Sequence, residues 1–369
     1  MFPRLPPMFA LLSGDGKGHK MFRSIVLTLS LLLLAVGHAQ PLRVLTHDSF
    51  DLSSDVLDRF SQDTGVDVQI LPAGDAGEVV SRAILTRARP IADVLFGVDN
   101  SLLTRALEAN IFEPYRSPLL DKVPERFVFD PEHRVTPIDV GYVLFNIDVG
   151  WFEREGLAPP QDISELTAPR YRGLTVVADP ATSSPGLAFL LTTVERFGDD
   201  GWLSYWADLR DNDLQVASGW SDAYYTAFTR YGGDRPIVLS YATSPAAEVM
   251  FAEEPLDSSP TANLLCRSCA YRQVEAAGIL RGTQNLDAAR LFIDFLLSEE
   301  VQADIPGVMF VYPVRQDVPL PREFELHADV PDEEQTAELA PGLIAEGLER
   351  WLDLWTQVVS QGRDPEQAR

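Results

Sequence analysis

The stretch Pro137-Ile138-Asp139-Val140-Gly141-Tyr142-Val143-Leu144-Phe145-Asn146-Ile147 decides the fold. Its apolar residues alternate around Gly141, the period of a β-strand, and its length exceeds the usual strand of about five or six residues. The reading is a strand long enough to cross from one lobe to another. Before it, β-patterned runs at 42–46, 67–71 and 92–97 alternate with helix-patterned runs at 55–64, 78–89 and 102–110. After it the alternation resumes: strand 174–178, helix 186–197, strand 237–241, helix 246–251. Residues 272–279 then supply a second long strand that returns. Such alternation predicts an α/β fold with largely parallel sheets. Two crossings between two series describe a hinged clamshell, with 40–139 and 276–369 in the first lobe and 140–275 in the second. Downstream, 286–300 carries the stripe Leu291, Phe292, Phe295 and Leu296, predicted as one core helix. Residues 342–359 repeat that spacing with Ile344, Leu348, Trp351, Trp355 and Val358, predicted to pack across the first lobe.

The start of the chain reads as an address. Met21, Phe22 and Arg23 precede the apolar run 25–36 and the small-residue site Gly37-His38-Ala39, the three parts of a secretory signal. That run falls short of the ~20 apolar residues that cross a bilayer. Cleavage near Ala39 starts the mature chain at Gln40, where no Cys is present for lipid attachment, so a periplasmic location is expected. Residues 1–20 carry no pattern of their own and stand outside the fold reading. The remaining 330 residues exceed what one hydrophobic core usually holds.

The chain is strongly acidic. Its formal charge is −25, and residues 1–39 carry Arg4, Lys17, Lys20 and Arg23 against Asp15 alone, leaving −28 from Gln40 onward. Nucleic-acid binding draws its main affinity from Lys and Arg, so that class is excluded, whereas a cationic ligand suits such a field. Cys266 and Cys269 are the only cysteines, and in an oxidising compartment a short-loop disulfide or two idle thiols is expected rather than a redox motif. Histidines His47, His133 and His327 have no paired spacing, and no zinc site or other cofactor is predicted.

In open α/β sheets ligands sit beyond the carboxyl ends of the strands. There the first lobe offers carboxylates: Asp48, Asp75 and Asp99. The second offers hydroxyls, in Thr182-Ser183-Ser184-Pro185-Gly186 and Thr243-Ser244-Pro245. Ser184 is predicted as an N-cap with Pro185 as the first helical residue, and helix N-termini present free N–H groups to a hydroxyl or phosphate. Trp220, Tyr241, Phe310 and Tyr312 add aromatic faces, on which a flat cation gains about 0.5–2 kcal/mol per contact. No nucleophile elbow, P-loop or dinucleotide fingerprint is present.

The ordered set His47-Asp48-Ser49-Phe50, Gly97-Val98-Asp99-Asn100, Asp179-Pro180-Ala181-Thr182-Ser183-Ser184-Pro185-Gly186, Gly219-Trp220-Ser221-Asp222-Ala223-Tyr224, Leu239-Ser240-Tyr241-Ala242-Thr243-Ser244-Pro245 and Met309-Phe310-Val311-Tyr312-Pro313-Val314 resembles the periplasmic thiamine-binding proteins of ABC transporters. The resemblance implies the type II-like clamshell of periplasmic binding proteins, a monomer that takes up thiamine, thiamine monophosphate or thiamine diphosphate and hands it to a membrane permease. It implies ligand contacts at Asp75, Ala76, Ser183, Ser184, Trp220, Tyr241, Ala242, Thr243 and Ser244. His47, Asp99 and Phe310 complete the expected site. Where Ala76, His47 and Phe310 stand, the family commonly has Gly, Tyr and Trp. Two other functions compete. Ferric-ion capture would use the adjacent pair Tyr224-Tyr225, and thiamine-degrading enzymes of this fold use a cleft cysteine as nucleophile.

Overall fold

The computed structural model describes residues 40–369, so the export segment read at 21–39 lies outside it. Twelve strands make one curled sheet: β1 (Leu42–Thr46), β2 (Val68–Pro72), β3 (Val94–Asp99), β4 (Phe112–Glu113), β5 (Thr136–Asp148), β6 (Thr175–Ala178), β7 (Gln215–Ala217), β8 (Ile237–Tyr241), β9 (Thr261–Asn263), β10 (Ala270–Leu280), β11 (Tyr312–Pro313) and β12 (Thr336–Ala337). Along the main path the order is β2-β1-β3-β10-β5-β8-β6-β7. β1 pairs in parallel with β2 and β3, and β6 with β7 and β8, giving one parallel set at each end.

β5 and β10 join the two sets. The first half of β5 pairs with β10 and β11, and its second half with β8. β10 runs antiparallel beside it, and its last residues pair with β3. These are the two crossings read from 137–147 and 272–279, and the architecture is a two-lobed clamshell. Both are buried on both faces, which explains near-continuous apolar runs.

The helices differ from expectation in three places. The helix read at 186–197 begins at Ser184 and breaks, as read, at Gly198 (φ 65°), but a second helical run not expected there continues to Asp211. The single helix expected at 286–300 is two, Leu286–Leu296 and Glu299–Val308, because the Ser298 side chain caps the second by accepting from Val301 N at 3.3 Å. Leu291, read as part of its core stripe, is exposed, and Ile293 is buried instead. The C-terminal helix Pro341–Trp355 does not serve the first lobe alone. Trp355 meets Trp206 of the long second-lobe helix edge-on at 5.6 Å, and both belong to the larger of the buried cores, which also holds Val79, Val80 and Leu95. Among the described residues no helix is long and apolar enough to cross a membrane.

Candidate functional site

A cavity of about 320 Å³ opens where the strand ends of the two lobes face one another. Its first-lobe wall begins at helix Ala76–Leu85. Asp75 caps that helix, with Oδ1 accepting from Ala76 N at 2.7 Å, while Glu78 accepts from Asp75 N, completing a capping box. The second carboxylate oxygen crosses the cleft and accepts from Trp220 N at 3.0 Å. Beside it Gly77 N donates to Thr182 O at 2.9 Å. A Cβ at Gly77 would lie 2.6 Å from that carbonyl, so glycine permits the lobes to meet here.

The second-lobe wall is aromatic. Trp220 lies nearly parallel to Tyr224 at 5.3 Å and inclined at 62° to Tyr241 at 6.1 Å. The indole Nε1 donates to Ser240 Oγ at 2.8 Å, and Ser240 pairs with Ser244 at 2.9 Å. Tyr241 rests over Gly141 of β5, where a Cβ would approach its ring to 2.8 Å.

The floor is a row of acids. Asp139 of β5 stands opposite Glu275 of β10, and Glu275 opposite Asp99 of β3. All three are buried. His47, after β1, lies 3.2 Å from the Glu275 carboxylate. Burial works against a charge on that imidazole, yet the carboxylates of Glu275, Asp75 and Asp48 together outweigh it and raise the His47 pKa above the ordinary histidine value. Burial, then repulsion from Glu275, raises the Asp139 carboxyl well above the carboxylate range.

Of the residues expected at the site, His47, Asp75, Ala76, Ser184, Trp220, Tyr241, Ser244 and Phe310 line this cavity. Four do not. Asp99 turns inward, accepting from Ser101 N at 2.7 Å and Leu102 N at 3.0 Å, because β3 ends in a turn whose N–H groups need an acceptor. Ser183, rather than Ser184, is the N-cap of its helix, and Thr243 rather than Ser244 precedes the other, so both helices begin one residue earlier than the caps predicted. Ser184 thereby reaches Gln273, whose Nε2 donates to it at 3.2 Å. Thr243 donates to Phe310 O and holds that residue at φ 59°, and Ala242 is buried beside it. Asp48 accepts from Gly74 N at 3.1 Å in an adjoining groove. Tyr312 packs on Tyr142 and Phe324 instead of the cleft.

Burial pushes Asp99 up to about 6, against the pull of its bond from Ser101. A folded-state value above the unfolded one gives stability that is full below about pH 4 and is lost as pH rises through about 6. Asp99→Asn is therefore expected to flatten this part of the profile, measured as urea midpoints of both proteins from pH 4 to 7.

The sequence reading missed Asp139, Gln273 and Glu275, and also Tyr231 and Glu248, which line the cavity, as do Tyr224 and Tyr225, read there only as a rival iron pair. A signal for the first three was present: charged or amide residues inside otherwise apolar crossing strands. Both cysteine thiols are free, not bridged, and neither lines the cavity. Among the described residues no group of three or more His, Cys, Asp or Glu is placed to hold a metal ion.

Two lobes joined by two crossing strands, closing on an aromatic and acidic cleft, define a solute-binding protein. The family model of bacterial extracellular solute-binding proteins matches residues 89–336, and the chain belongs to that family. It is 31% identical over 343 residues to the thiamine-binding periplasmic protein of Salmonella typhimurium (strain LT2), covering 91% of this chain and 98% of that one. A solved periplasmic thiamin binding protein superposes with a TM-score of 0.77 at 29% identity, covering 88% of this chain and 98% of that one. The ferric binding protein from Campylobacter jejuni shares the fold at 17% identity, with a TM-score of 0.70 and coverage of 86% and 99%.

Proposed function

We propose that this chain is an exported periplasmic protein that captures thiamine, free or phosphorylated, between its lobes and delivers it to the membrane permease of an ABC importer. The lobes comprise 40–139 with 276–369, and 140–275, and the protein acts as a monomer without a cofactor. One observation carries the reading: the cavity is lined by Trp220, Tyr241 and Phe310 together with Asp75, Asp139 and Glu275, and by no Lys or Arg. Thiamine is a permanently charged cation built of two flat heteroaromatic rings joined by a methylene group, which such walls stack and neutralise. The relatives named for thiamine support it.

Trp220 and Tyr241 take the ring faces, and Asp75 faces the thiazolium charge. Ser184 and Ser244, at two helix starts, receive the hydroxyethyl group or its phosphates. Ligand contact with both lobes favours the closed state that a permease reads.

The rival functions fit less well. Tyr224 donates to Glu248 at 2.8 Å, which engages the hydroxyl that a ferric site would use, and no group of three or more His, Cys, Asp or Glu among the described residues is placed to hold a metal ion. Thiamine degradation lacks its cleft cysteine, since Cys266 and Cys269 stand away from the cavity lining. The test is fluorescence titration with thiamine, its phosphates and ferric citrate, followed by mass analysis of recovered ligand. Saturable quenching by a thiamine form that is recovered intact is expected. Response to ferric citrate alone, or loss of ligand mass, would refute the proposal.

A further inference from the structure

Away from the cleft the molecule carries a pair of thiols that the cavity does not use. Cys266 and Cys269 are the ends of the turn at Arg267 and Ser268 that leads from β9 into β10, the returning crossing strand. The ends of such a turn lie within about 7 Å of one another, which is the reach of a disulfide. Ser268 stands at φ 45°, the left-handed conformation that tight turns demand. The fold brings the Cys269 sulfur against residue 266. Cys266 N donates to Cys269 Sγ at 2.6 Å, and that thiol donates to Cys266 O at 2.9 Å.

The two thiols are unlike. Cys269 is 2% exposed, whereas Cys266 is half-buried and lies beside the ion pair of Arg196 with Asp162. Contact with the Cys269 thiol, helped by the Ile163 N–H and Arg196, lowers the Cys266 pKa below the ordinary thiol value, against burial and Asp162. The same contact, then burial, raises Cys269. A dithiol needs this division: one sulfur that ionises and can be reached, and another held behind it. Backbone contacts fix the turn on both sides. Ser268 N and Cys269 N donate to Glu334 O and Gln335 O at 2.9 Å each, and the Arg196 guanidinium donates to Arg267 O.

We propose that Cys266 and Cys269 are a reactive dithiol that closes to a disulfide on meeting a disulfide oxidant, with Cys266 as the attacking sulfur and Cys269 as the resolving one. The Cys266 thiolate attacks one sulfur of the oxidant, forming a mixed disulfide and expelling the other sulfur as a thiolate. Cys269 then gives up its proton and attacks Cys266 Sγ, so that the S–S bond closes within the turn and the second sulfur of the oxidant leaves. The cysteines lose two electrons and the oxidant gains them, ending as two thiols. The bond staples the root of β10 beside β12, with which Ala270 and Tyr271 pair. So short a loop adds little chain-entropy stabilisation, and the chemistry itself is the observable. The inference is independent of the thiamine reading.

The test exposes the full mature chain, folded and reduced, to oxidised glutathione, and follows free thiols and intact mass. Wild type is expected to lose both thiols, to become lighter by two hydrogens, to keep no glutathione, and to regain both thiols with dithiothreitol. Cys269→Ser is expected to stop at one glutathione bound to Cys266. Cys266→Ser is expected to stay unmodified, because its remaining thiol is buried. Thermal unfolding checks that both variants fold, and the wild-type result stands without them. Two thiols still free in oxidised wild type, or a glutathione retained on it, would overturn the disulfide. An adduct on Cys266→Ser as large as that on Cys269→Ser would overturn the order of attack. Both results leave the thiamine reading as it is.

Discussion

Trp220→Ala lowers thiamine affinity by about tenfold to a hundredfold, the range seen when a stacking aromatic is cut back to alanine. The size follows from how firmly the ring is held. Tyr224 supports one face of the indole, and its Nε1 is anchored on Ser240, which is braced in turn by Ser244. Little ordering cost is then left for the ligand to meet. Alanine removes the face and leaves Ser240 without its donor. Trp220→Phe separates the two effects, because it keeps a ring and loses only the N–H, and it is expected to recover most of the affinity. Calorimetric titration of both variants at one salt concentration measures the difference. Wild-type affinity in the Ala variant would remove Trp220 from the site.

Asp75→Ala should be costly in two separate observables. As a helix cap it contributes about 1 kcal/mol, so the urea midpoint falls accordingly without ligand. As the residue whose carboxylate reaches across to Trp220 N, it also closes the cleft and supplies negative charge to the cationic ligand. Thiamine affinity is expected to fall about tenfold or more, the worth of a charged hydrogen-bonding group. Asp75→Asn keeps one acceptor oxygen, enough to cap Ala76 N, while losing the charge and the second oxygen that accepts from Trp220 N. It should therefore stay close to wild type in stability and resemble the Ala variant in affinity. Full affinity in the Asn variant would mean that neither the charge of Asp75 nor its clasp to Trp220 contributes to binding.

The fold was legible because its deciding elements are periodic and long. The alternation through 137–147 and 272–279 announces strands that outrun a single lobe, and those strands are β5 and β10. The residues after strand ends were legible for a similar reason: Asp75, Trp220 and Ser244 follow from where strands stop. Asp99 obeys the same rule and misleads, because position does not say which way a carboxylate turns. Two backbone N–H groups and the Ser101 hydroxyl just after it supplied three donors, and it turned toward them. Asp139 and Glu275 were hidden by the opposite effect. Each is an acid inside a crossing strand, and only the cross-strand register brings the two together. The cap positions were misjudged by one residue because proline is tolerated at either of the first two helical positions, so Ser183 and Thr243 stand before the helices and Ser184 and Ser244 begin them. Tertiary partners decided it, Gln273 for Ser184 and Ser240 for Ser244.

The most direct test of the central claim is a crystal structure of the mature chain grown with thiamine. The expected result is one molecule in the cleft, ring faces on Trp220 and Tyr241, thiazolium toward Asp75, and the Asp75–Trp220 clasp closed. An empty cleft under saturating thiamine, or thiamine bound outside these walls, would contradict it.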